Sequence, residues 1–121
     1  MIKRVGLSLI ILILFGSALS QAQDYKDNYG SKIQEDGSVY EGQFKDGVFE
    51  GQGVLTYTDG RHYTGEFKDG LFDGNGTLIY ADGSKYEGQF KEGFLNGQGT
   101  ITYSDGSVYR GRFRRGERIS N

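Results

Sequence analysis

The chain has 121 residues, of which 21 are glycine, and it contains no cysteine, proline or tryptophan. The absence of cysteine excludes a disulfide framework and a lipid-anchored bacterial lipoprotein, so any fold must be held by packing alone. The formal net charge is −2, and no nucleic-acid partner is expected.

The first 22 residues have the order of a secretory signal peptide. Lys3 and Arg4 precede an uncharged apolar run, and small residues follow it. We predict a helical signal peptide over residues 1–22 with cleavage after Ala22, with Ala18 and Ser20 as the competing pair of small residues, and therefore a secreted or periplasmic protein. The alternative is a retained N-terminal membrane anchor, but the apolar run ends at Leu19 and is short against the roughly 20 residues that a spanning helix needs.

The remaining sequence is a tandem repeat. The stretch YEGQFKDGVFEGQGVLTYTDGRH starts at Tyr40 and returns at Tyr63 and Tyr86 with a period of 23 residues, and a shorter copy, YRGRFRRG, starts at Tyr109. A fixed period of this size is typical of stacked-repeat proteins. The predicted segments are a signal peptide (1–22), an N-terminal cap with a degenerate half-repeat (23–39), three repeats (40–62, 63–85, 86–108), and a partial fourth repeat with a basic C-terminal cap (109–121).

Each repeat predicts a β-hairpin. Asp-Gly pairs, such as Asp59-Gly60, separate runs in which apolar and polar residues alternate, which is a strong hairpin signal. A three-residue loop, Thr58-Asp59-Gly60, places every aromatic residue and glycine on one face. The other face then collects polar side chains, including His62 and Glu66. We therefore predict an all-β fold: an elongated, single-layer antiparallel meander of stacked hairpins.

The glycines on the apolar face are expected to leave gaps for neighbouring aromatic rings. On this interpretation Gly65→Val should unfold the array, whereas Glu66→Val on the polar face should be tolerated. The second turn of each repeat is followed by an apolar pair, Val48 and Phe49 in the first repeat. We expect this pair to lie in a loop that folds over the aromatic face as a lid.

The repeated pattern resembles the MORN repeat, Y-x-G-x-[FW]-x-x-G-x-x-x-G-x-G followed by a short strand and a D-G turn. Three copies match throughout, and the copy that begins at Tyr109 matches until Gly116. The resemblance implies a non-catalytic interaction or scaffold module, often beside membranes, with phospholipid binding proposed for some members. The predicted structural core of the repeats consists of Tyr40, Gly42, Phe44, Gly51, Gly53, Tyr63, Gly65, Phe67, Gly74, Gly76, Tyr86, Gly88, Phe90, Gly97, Gly99, Tyr109, Gly111 and Phe113.

No residue pattern supports catalysis, a metal site or a cofactor site. The sequence Gly51-Gln52-Gly53 lacks the third glycine of a dinucleotide fingerprint, and the aspartates of the Asp-Gly pairs are explained by turn chemistry. His62 is the only histidine and falls on the polar face. With no cysteine and no repeated serine paired to a base, we expect no enzymatic activity.

Charge is distributed unevenly along the chain. Residues 23–108 hold seven basic and fifteen acidic residues, a net charge of −8, whereas residues 109–121 hold five arginines and one glutamate. These arginines form a candidate surface for an anionic partner: Arg110, Arg112, Arg114, Arg115 and Arg118. Alternatively, they protect the edge of a terminal strand against further pairing.

Three functions remain open from the sequence. The first is a scaffold that binds a protein partner or another copy of itself. The second is binding to phospholipid or to the cell-envelope surface through the basic end. The third is glycan binding, because bacterial cell-wall-binding repeats are similar short hairpins rich in glycine and aromatic residues, although those repeats rely on tryptophan.

Overall fold

The computed structural model describes residues 28–120, which form one antiparallel sheet. Its strands follow chain order from one end of the sheet to the other, and residues 28–120 contain no α-helix. The strands are β1 (Tyr29–Ile33), β2 (Val39–Lys45), β3 (Val48–Thr56), β4 (His62–Lys68), β5 (Leu71–Ile79), β6 (Lys85–Lys91), β7 (Phe94–Thr102), β8 (Val108–Arg114) and β9 (Glu117–Ile119). The predicted all-β meander is confirmed. The predicted signal peptide lies outside the described residues.

The Asp-Gly loops set the register as expected. In the loop after β3, the Tyr57 N–H donates to the Arg61 carbonyl at 2.9 Å and Gly60 has a φ of 101°. This leaves three loop residues, Thr58, Asp59 and Gly60, and pairs Leu55 with Tyr63 and Gly53 with Gly65. The Asp59 carboxylate accepts a hydrogen bond from the Arg61 N–H at 3.0 Å, and this bond lowers the pKa of Asp59.

The core lies on one side of the sheet, which we call the inner face. Tyr40 is fully buried and lies flat over glycine, so that a Cβ on Gly53 would stand 2.5 Å from the Tyr40 ring. Phe49 stacks on Tyr40 with ring centroids 3.8 Å apart, and Phe67 meets the same ring edge-on at 5.0 Å. Tyr63 and Tyr86 are also fully buried. The predicted gaps for aromatic rings are therefore confirmed.

The expected lid is wrong in one respect. The second turn contains only two residues, Asp46 and Gly47, with φ values of 52° and 80°, as in a type I′ turn. Val48 and Phe49 therefore belong to β3 and point to opposite faces. Phe49 covers Tyr40 as expected, whereas Val48 remains 42% exposed on the opposite side, which we call the outer face.

A bulge in each repeat gives one outer-face residue an unexpected structural role. Between the pairs Gly42–Gly53 and Phe44–Phe49, β3 contains two more residues than β2, and Gly51 takes a φ of 78°. The side-chain oxygen of residue 43 accepts a β3 backbone N–H across this bulge. The equivalent bonds are Gln52 N–H to Gln43 at 2.6 Å, Asn75 N–H to Glu66 at 2.7 Å and Gln98 N–H to Gln89 at 2.9 Å. Glu66 lies on the polar face as predicted, and it also accepts a backbone hydrogen bond that was not predicted.

Candidate interaction surface

In the C-terminal repeats, the polar side chains of the outer face are exposed. In β6 and β8 the outward side chains Glu87, Gln89, Arg110 and Arg112 are exposed, whereas Phe113, which points inward, is 3% exposed. Since side chains alternate along a strand, β8 separates into a packed side and a free side. The free side is available for contact with another molecule.

Three arginines follow one another along the outer face of β8, about 7 Å apart because alternate residues of a strand share a face. We call Arg110, Arg112 and Arg114 the arginine row. Arg110 pairs with Thr100 of β7, and Thr100 pairs on its other side with Glu87 of β6. The outer face thus changes from acidic to basic over two strand spacings.

The other two predicted arginines do not extend this row evenly. Arg115 lies in the last two-residue turn, with its guanidinium 5.4 Å from the centroid of the exposed Phe94 ring. Arg118 lies on the inner face, because it pairs with the inward-pointing Phe113, and its guanidinium is 3.8 Å from the Tyr109 ring centroid. The row therefore contains three of the five predicted arginines, with Arg115 beside it and Arg118 on the opposite side of the sheet.

The C-terminal edge also differs from the expectation of a terminal strand at Tyr109. The short strand β9 pairs with Arg112, Phe113 and Arg114. Among residues 28–120, no strand pairs with residues 108–111 on that side. The edge of β8 is therefore half covered.

Neighbouring repeats are joined by hydrogen bonds that sequence reasoning missed. The Gly70 N–H in the turn of one repeat donates to the Phe49 carbonyl of the repeat before it at 3.0 Å, and the Asp69 N–H donates to Glu50 at 3.1 Å. The same pair of bonds recurs 23 residues later in the turn that contains Glu92 and Gly93. The available signal was an acidic or amide residue at one position of every repeat: Glu50, Asp73 and Asn96. These bonds couple the repeats into a continuous platform.

The described residues offer no metal site and no membrane-spanning helix. Residues 28–120 contain no group of three His, Cys, Asp or Glu side chains that could hold a metal ion. His62 lies on the outer face beside Thr56 and Thr64, with ring nitrogen to hydroxyl distances of 3.2 and 3.4 Å. Within the same stretch, no helix has the length and apolar character needed to cross a membrane.

Fold and surface together define a linear β-repeat protein that presents a regular face of mixed charge. The family model for the MORN repeat matches residues 40–60, 63–85 and 86–108, so the chain belongs to the MORN repeat family. MORN repeats are non-catalytic modules that generally mediate interactions with proteins or membranes. No curated protein matches the chain closely.

Proposed function

We propose that this protein is an exported, non-catalytic scaffold that binds a protein partner through the outer face of its C-terminal repeats. The observation that carries the proposal is a difference between the two faces of the sheet. The inner-face rings are used in packing, whereas Glu87, Gln89 and the arginine row stand exposed and make up a continuous polar surface. Such a face suits a partner that carries complementary charges.

The inner face gives little support to the glycan alternative. Sugar binding by aromatic side chains needs exposed ring faces, but Tyr40, Tyr63 and Tyr86 are 0% exposed. Their hydroxyls donate to backbone carbonyls of their own strands at 2.6 to 2.7 Å, and Phe49 and Phe72 stack on Tyr40 and Tyr63. These rings serve the core.

The arginine row supports a second candidate function, binding to an anionic lipid or cell-envelope surface. Three guanidinium groups on one face form a patch of positive potential, and attraction to a charged surface weakens as salt screens it. Export of the protein rests on the charged, apolar and small residues of segment 1–22. The isolated protein should then begin near Gln23, whereas an intact Met1 in protein released only by detergent would indicate an anchor.

Site-specific photo-crosslinking tests the main proposal. A photoreactive residue at Glu87 should yield adducts with one protein in the native compartment, whereas the same residue at Lys45, which is exposed on the outer face near the opposite end of the sheet, should not. Equal adducts from the two positions would contradict a site in the C-terminal repeats. For the second candidate, replacement of the arginine row by glutamine should abolish binding to anionic vesicles at low salt, whereas replacement of Lys45, Lys68 and Lys91 should not. Equal losses in the two variants would indicate binding by general charge.

A further inference from the structure

The C-terminal edge of the sheet is only partly paired within the described residues. Arg118 pairs with Phe113 as Phe49 pairs with Phe44, so β9 is the beginning of the long strand of a fourth repeat. Within residues 28–120, no strand lies beside residues 108–111 in the way that residues 53–56 lie beside residues 39–42. A depression of about 450 Å³ lies at this place, lined in part by Tyr109, Arg110, Gly111, Ile119 and Ser120.

The N-terminal edge carries the complementary piece. β1 pairs Gly30 with Gly42 in the way that β3 pairs Gly53 with Gly65. Residues 29–33 therefore occupy the positions of residues 52–56, one period of 23 residues earlier. On its other side β1 has no paired strand among the described residues. Residues 117–119 thus correspond to the first part of β3, and residues 29–33 correspond to its last part.

We infer that the occupant of the open half of β8 is β1 of a second copy of this chain, joined head to tail. The inference deepens the proposed scaffold function and rests on it. In the register of β2 with β3, Gly30 of the second copy lies opposite Gly111, Ser31 opposite Arg110, and Ile33 opposite Val108. One repeat is then completed from two chains.

Glycine chemistry fits this junction. Each fully buried core tyrosine lies against two glycines, such as Tyr63 against Gly65 of its own strand and Gly76 of the next. Tyr109 lies against Gly111 and is only partly buried. Gly30 of the second copy provides the second glycine.

Apolar surface and charge fit the same register. Ile33 is 73% exposed and Val108 is 47% exposed, both on the outer face, and the junction sets them directly opposite each other. Ser31 pairs with Glu41, so Arg110 faces Glu41 of the second copy across one small side chain, at about 9.6 Å between their backbones. An arginine side chain spans much of that distance. The basic C-terminal end and the acidic body favour this orientation over like-to-like pairing.

A head-to-tail contact uses different surfaces on the two molecules and does not close on itself. Within residues 28–120, each added copy brings another unpaired part of β8 and another unpaired edge of β1, so the assembly grows into a linear chain with a continuous sheet. Unpaired strand edges favour the same growth.

Gly30→Ala should block the junction between copies without disturbing the fold of the single chain. In the single chain a Cβ on Gly30 meets only the Phe44 ring, at 3.7 Å, which is ordinary contact, whereas at the equivalent position Gly53 it would collide with a tyrosine ring. The purified protein should show an average mass in sedimentation that rises with concentration. Gly30→Ala should remain a monomer whose melting temperature at low protein concentration lies within a few degrees of that of the wild type, whereas Ser31→Ala should assemble like the wild type.

A mixing experiment tests the direction of assembly. Val108→Asp combined with Arg110→Asp should disable the β8 end and also give monomers. An equal mixture of this variant with Gly30→Ala retains one working β8 end and one working β1 end, and should form dimers only. A wild type that stays monomeric at every concentration, a Gly30→Ala variant that still assembles, or a mixture without dimers would each overturn the inference. Adducts from Glu87 test the proposed function separately, because Gly30→Ala leaves that site intact.

Discussion

Gly53→Ala tests whether glycine is required beneath the tyrosine rings. Gly53 does not have a positive φ, so alanine meets no backbone strain there, but its Cβ would stand 2.5 Å from the Tyr40 ring. Tyr40 cannot move freely, because Phe49 stacks on it at 3.8 Å and its hydroxyl donates to the Gln43 carbonyl at 2.6 Å. The substitution must therefore disturb the core of one repeat.

The size of the effect follows from two contributions. Overpacking a core costs about 1–3 kcal/mol, and loss of a neutral hydrogen bond costs about 0.5–1.5 kcal/mol. We expect the free energy of unfolding to fall by about 2–4 kcal/mol, out of a total of roughly 5–15 kcal/mol. For a domain of this size the melting temperature should drop by roughly 10–30 °C.

Thermal unfolding followed by circular dichroism measures this drop. Gly30→Ala is the matched control, because it makes the same change at the equivalent position of β1, where the nearest atom lies 3.7 Å away. It should change the melting temperature by only a few degrees when measured at low protein concentration. Equal melting temperatures for the two variants would refute the packing of tyrosine on glycine.

Three further results are expected. Glu66→Val should lower the free energy of unfolding in urea by about 1 kcal/mol, because the Asn75 N–H loses its acceptor at 2.7 Å. The control Glu87→Val, at an exposed position, should lower it by less than about 0.5 kcal/mol, and equal losses would argue against the bulge bond. Burial raises the pKa of Tyr86 from its ordinary value of 10.0 to about 12. Its contribution to stability is therefore complete below about pH 10 and is lost as the pH rises towards 12, and a urea midpoint unchanged across that range would contradict this prediction. Gly47→Ala should lower the free energy of unfolding by roughly 1–2 kcal/mol through backbone strain alone, because the φ of Gly47 is 80° and no atom lies within 4 Å of the added Cβ. Gly47→Asn should lower it by less in the same assay.

Much of this fold could be predicted from the sequence, because the repeat supplies the same local signals several times. The Asp-Gly pairs, the alternation of apolar and polar residues and the 23-residue period fix the strands and the three-residue loop. Once the loop length is known, pairing Leu55 with Tyr63 follows by counting, and so does the face on which each side chain lies.

Counting fails where the backbone departs from regular pairing. The bulge at Gly51 adds two residues to one strand, and only then does the side chain of residue 43 come within reach of a backbone N–H. The two-residue turn at Asp46 and Gly47 sends Val48 outward instead of into a lid. Both features depend on positive φ angles, which glycine permits but does not impose.

The positions of the candidate arginines could likewise be predicted only in part. The sequence alone determined that Arg110, Arg112 and Arg114 share the outer face, because residues two apart in one strand point the same way. Only the tertiary structure decided that Arg118 lies on the inner face, since a turn and a new strand, β9, intervene and reverse the chain. Only the structure, likewise, showed that β9 covers part of β8, because the extent of strand pairing depends on contacts between segments distant in the sequence.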